Sequence, residues 1–80
     1  MYEIRILNLK DLNISDANLL SSQFIDMALD LFSKEFGVSV YNYRISRKVT
    51  GPIDYEDSLW AITKELPKNN LEFLDWRQLP

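Results

Sequence analysis

Two carboxylate pairs, Asp26/Asp30 and Asp54/Asp57, are the first candidates for chemistry in this chain. Acid–base catalysis needs paired groups whose surroundings push their pKa values apart. The first pair falls one turn apart on the polar side of a helical pattern, where like charges only repel weakly. The second reads as a helix cap, with Glu56 and Asp57 inside the first turn and Asp54 ahead of it. Neither follows the spacing of a calcium loop. The chain has no His and no Cys. Its Ser and Thr hydroxyls therefore lack the commonest activating base, and zinc lacks its usual ligands. Two glycines in total leave no loop to cradle a phosphate. No catalytic residue, metal ligand or cofactor site is assigned, and the chain reads as a binder rather than an enzyme.

Two constellations could bind instead. Tyr41, Tyr43, Arg44, Arg47 and Lys48 interleave aromatic and basic residues, the composition with which strands stack and neutralise single-stranded nucleic acid. Arg44 and Lys48 share one strand face, however, and Arg47 and the tyrosines share the other. Cations on an edge strand also serve simply to block sheet extension. The second constellation is Tyr55 and Trp60 with Asp54, Glu56 and Asp57 around them. Tyr and Trp are enriched at interface hot spots, and the carboxylates would suit a partner with a basic surface.

These residues need elements to hold them. Residues 2–9 alternate Tyr2, Ile4 and Ile6 against Glu3 and Arg5, which predicts a strand that turns both faces into protein near Leu7 and Leu9. Residues 10–15 read as a connection. Residues 16–36 show the longest clear period: Leu20, Phe24, Met27 and Leu31 make one stripe, and Ile25, Leu29, Phe32 and Phe36 make a second beside it. A cap at Ser15 or Asp16 and a left-handed Gly37 predict its limits. The arc is wider than one small sheet covers, so a second helix or an outside partner is expected to take the rest. Residues 38–49 predict a strand with Tyr41, Tyr43, Ile45 and Val49 on one face, and Thr50-Gly51-Pro52 ends it.

Residues 54–66 allow two readings. Cap, helical spacing of Tyr55, Leu59, Ile62 and Leu66, and the stop at Pro67 favour a helix. The alternative makes residues 58–66 a strand pairing back on 41–49. After a turn at 68–70, residues 71–79 favour a final strand over a short helix capped by Asn70. The expected fold is therefore α/β in the order β-α-β-α-β, a small single-layer sheet packed on a long helix with the first two strands parallel. It becomes α+β if residues 58–66 are a strand.

Tyr55-Glu56-Asp57-Ser58-Leu59-Trp60, followed by Leu74-Asp75-Trp76-Arg77-Gln78, resembles the central helix and next parallel strand of the barstar family of ribonuclease inhibitors. The likeness covers about 25 residues. It implies that Tyr55 and Trp60 lie on a helix near an inhibitory face. Ala61 stands where that family carries an acidic residue.

Eighty residues make one domain, 1–80, small enough to need efficient packing or a partner. An apolar share of 46% argues for a folded chain, and a net charge of −3 disfavours nucleic acid and anionic membranes. No apolar run is long enough to span a bilayer and no signal peptide is visible, so a cytoplasmic location is expected. The expected function is a small acidic protein that binds and inhibits another macromolecule by occlusion, as immunity proteins, antitoxins and phage anti-defence inhibitors do. The alternatives are a nucleic-acid-binding module using residues 41–48 and a structural homo-oligomer, such as a dimer, assembled through helix 16–36.

Overall fold

The computed structural model describes residues 1–8 and 21–80. The described elements are β1 (Tyr2–Asn8), α1 (Ser22–Phe36), β2 (Val40–Val49), β3 (Tyr55–Thr63), a 3-10 turn (Leu71–Phe73) and β4 (Asp75–Gln78). The four strands form one sheet in the order β2-β3-β1-β4, and each neighbouring pair is antiparallel. β1 and β2 thus run the same way with β3 between them, the split arrangement of a β-α-β unit. Among the described residues one helix packs on this sheet, an α+β arrangement.

Alternation makes β1 what it is. Ile4 points to the helix and is fully buried, while Glu3 points to the other face and is also buried. Burial on both faces falls at the start of the strand, at Glu3 and Ile4, and not near Leu7, which is half-buried; Leu9 lies outside the described residues. α1 begins at Ser22 because Ser21 is extended and its Oγ accepts from the Phe24 amide at 3.2 Å. It ends because Gly37 is left-handed (φ 68°) and returns its N–H to the Ser33 carbonyl at 2.9 Å. The core joins Phe32, Ile4, Val38 and Ala61, with Leu29, Phe36, Leu66 and Leu74 packed around them.

Four expectations need correction. The helix does not run from residue 16 as one long rod, because extended Ser21 interrupts any continuation; the cap at Ser15 or Asp16 and the connection 10–15 lie outside the described residues. The stripe of Phe24, Met27 and Leu31 is not buried: Met27 and Leu31 are more than half exposed, and the Ile25–Phe32 line faces the core instead. The first two strands are not adjacent and parallel, since β3 separates them.

The largest correction concerns residues 54–66, which form no second helix. Tyr55–Thr63 is β3, paired with β2 on one side and β1 on the other. The β-α-β-α-β order therefore fails, and the strand reading gives the observed α+β fold. Helical spacing misled because a central strand covered on both faces shows no alternation: Asp57, Ser58, Leu59, Trp60 and Ala61 are all buried. Thr50-Gly51-Pro52 is the hairpin turn, closed by the Thr50 amide on the Asp54 carbonyl at 3.0 Å. Residues 71–79 divide into the 3-10 turn, which follows left-handed Asn70, and the short edge strand β4.

Candidate functional site

The helix covers one face of the sheet, and among the described residues no helix covers the other. Strand parity decides what that open face carries: Glu3 and Arg5 from β1, Trp60 from β3, Arg44 and Ser46 from β2, and Arg77 from β4. Trp60 is only 8% exposed although, among the described residues, no helix lies above it. Its cover is made of arginines. The guanidinium carbons of Arg5, Arg44 and Arg77 stand 5.5, 5.3 and 5.2 Å from the indole centroid, within cation–π range. The indole N–H donates to Ser46 Oγ at 2.8 Å.

Glu3 anchors this cover. Arg44 donates to both of its oxygens at 3.0 Å, Arg77 donates to Oε1, and Arg5 pairs with Asp75. The Arg44 hydrogen bonds hold the Glu3 carboxyl below the ordinary carboxylate range; burial works the other way, and Arg77 adds to the lowering. The face is closed upon itself, each buried polar group answered by another.

The helix side of the β2–β3 hairpin is different. Tyr43, Ile45 and Val49 lie opposite Ala61, Leu59 and Tyr55, so they share the face of the core. Yet Tyr41, Tyr43, Ile45, Val49, Ile53 and Tyr55 are all exposed, Val49 by 74% and Ile53 by 89%. In their midst Arg47 grips buried Asp57 with bonds of 2.8 and 3.0 Å and lies 3.9 Å over the Tyr55 ring. Those Arg47 hydrogen bonds lower the Asp57 pKa, against the opposing effect of burial. Exposed Tyr and Arg side chains beside aliphatic ones are residue types enriched at protein interfaces.

The sequence-derived candidates are redistributed accordingly. Tyr55 and Asp57 lie on the helix side, and Glu56 and Trp60 on the open face, so Tyr55 and Trp60 do not share the helix surface that the barstar likeness implies. Asp54 is exposed in the turn. Asp57 is not an outward acid but the partner of Arg47. Of the basic strand, Arg44 and Lys48 face the open side and Arg47 the helix side; Tyr43 joins Arg47, while Tyr41 sits at the bulge between Val40 and Asn42, with Lys64 5.5 Å from its ring. Glu3, Arg5 and Arg77 escaped sequence reading. Their signal was parity: the polar faces of β1 and β2 each alternated visibly, but nothing local said that β3 would bring them together over Trp60.

A second apolar opening, a groove of about 440 Å³, lies between α1 and β1, with Met27, Leu31, Phe24, Ile6 and Leu74 in its lining. Among the described residues no cluster of His, Cys, Asp or Glu could hold a metal ion, and no helix is long and apolar enough to cross a membrane. No protein-family model, no curated protein and no solved structure matches this chain.

Proposed function

We propose that this chain is a stoichiometric protein-binding module that acts by occlusion, covering a partner's surface with the helix side of its β2–β3 hairpin. The observation that carries the reading is the exposure of Tyr43, Ile45, Val49, Ile53 and Tyr55 along one arm of a domain this small. Burying a fully exposed apolar side chain gains roughly 1.5–3 kcal/mol, which Val49 and Ile53 approach; Tyr43, Ile45 and Tyr55, already partly covered, gain less, and a few well-packed anchors supply most of an interface's affinity. The arm is charged but internally balanced, with Arg47 on Asp57 and Lys48 opposite Glu56. Its affinity therefore comes from apolar contact, and the chain's net negative charge serves to speed encounter with a basic partner. The same pairing weakens a nucleic-acid reading, because the Arg44 and Arg47 guanidiniums are committed to Glu3 and Asp57.

Photocrosslinking in the native host tests this. A benzophenone side chain at Tyr55 should give one discrete protein adduct, while the same group at Phe73, an aromatic position 80% exposed but off the arm, should give none. Absence of an adduct from Tyr55, or equal yields from both positions, contradicts the proposal.

A further inference from the structure

The sheet has two edges, and they are unlike. β4 is four residues long, short enough to offer little to another strand. β2 is ten residues long, and among the described residues only β3 pairs with it, leaving its outer row of backbone donors and acceptors without a strand partner; the Tyr43 amide donates to Asn42 Oδ1 at 2.8 Å, a bond that a new strand would have to replace. Proteins usually guard such an edge with outward Lys and Arg. Here two of the three cations are withdrawn: Arg44 lies over the sheet on Glu3, and Arg47 lies on Asp57. Both enter any new contact already neutralised.

The β2 sequence is also complementary to itself. Placing a second β2 antiparallel about a two-fold axis at Ile45 sets Ile45 against Ile45, Tyr43 against Arg47, Asn42 against Lys48, and Arg44 against Ser46, and brings Tyr41, at the bulge, nearest Val49. These are apolar, cation–aromatic, aromatic–β-branched and polar pairs, and no like charges stand directly opposite. Moving the axis by one residue breaks this. Centred on Arg44, that residue faces its own copy; centred on Ser46, Arg44 faces Lys48. Only the Ile45 register spans residues 41–49 without a direct clash of charge.

We propose that two copies of this chain pair through β2 about Ile45, giving one continuous eight-stranded sheet. Both helices then lie on the same side, and the Tyr43–Ile45 surfaces of the two arms join into a single band across the axis. The isologous contact uses the edge of β2 rather than its face, so it is independent of the protein-binding role above and leaves that face open.

The absence of cysteine makes the test clean, since one introduced thiol is the only one present. Opposed Cβ atoms in an antiparallel pair lie about 4.5–5.5 Å apart, close to the roughly 3.5–4.5 Å of a disulfide. Under mild oxidation, Ile45→Cys should form a disulfide dimer about tenfold faster or more than Ile53→Cys, a more exposed position off the axis. Asn42→Cys mixed with Lys48→Cys should give mainly the mixed dimer; both positions are exposed, so this pair serves if Ile45→Cys misfolds. An Ile45→Cys rate no higher than that of Ile53→Cys overturns the pairing, as does an Asn42→Cys dimer forming as fast as the mixed one. Either failure leaves Tyr55 crosslinking unaffected, so the two proposals fail separately.

Discussion

The two faces of the β2–β3 hairpin solve the same problem in opposite ways. The one helix among the described residues covers only one side of the four-stranded sheet, so the chain has to satisfy the other side in another way. On the open face it places Trp60 and roofs it with Arg5, Arg44 and Arg77, which Glu3 and Asp75 hold in place. The long arginine stems cover apolar area while their charged heads stay near water. On the helix side it leaves Tyr43 and Ile45 partly exposed and Val49 mostly so. The first face has its buried polar groups paired among themselves. The second is the one the proposed function gives to a partner. Exposure alone does not reveal a binding surface; what distinguishes these two is whether the chain's own groups already satisfy it.

Substitutions should separate the faces by what they damage. Trp60→Ala removes the ring beneath the arginines and should cost about 3–4 kcal/mol in urea denaturation, the largest effect. Glu3→Gln should cost about 2 kcal/mol, less than a fully buried pair because both guanidiniums remain well exposed to water. The cost should depend on pH with a definite sign. A carboxyl whose folded pKa is lowered stabilises the fold fully above its ordinary value of 4.5, and that stabilisation is lost as the pH falls through the lower folded value. The gap between the native chain and Glu3→Gln should therefore stay constant from neutrality to about pH 5 and close in acid.

The arm should behave in the opposite sense. Val49→Ser and Tyr43→Ser should change stability by less than about 0.5 kcal/mol, because neither side chain is buried. Together they should lower recovery of the protein partner by about tenfold or more. A large stability loss from these two changes, with binding retained, would reverse the assignment of the faces.

Much of the fold was legible where one element decided its own conformation. β1 showed its alternation, Gly37 marked the end of α1, and Tyr43, Ile45 and Val49 were visible as a stripe along β2, though nothing local marked Tyr41, grouped with them, as the site of a bulge. β3 was not legible, because its pattern is set by its two neighbouring strands and by arginines from all three other strands of the sheet. Asp54 and Asp57 then imitated a helix cap, whereas Asp57 answers Arg47 across the hairpin. The site was half visible for the same reason. Tyr55 could be suspected from its type, but that Trp60 turns away from it follows only from knowing that they lie five residues apart on a strand rather than on a helix. Glu3 looked like ordinary polar surface until Arg44 and Arg77, far away in sequence, were brought onto it.

The central claim, that the partner meets one face of this hairpin and not the other, is tested most directly by moving a single photocrosslinker between adjacent residues. Lys48 and Val49 are neighbours on β2, both are exposed, and they point to opposite faces. A benzophenone at Val49 should capture a protein partner in the native host, and one at Lys48 should not. Capture from Lys48 alone, or with equal yield from both, would contradict the account.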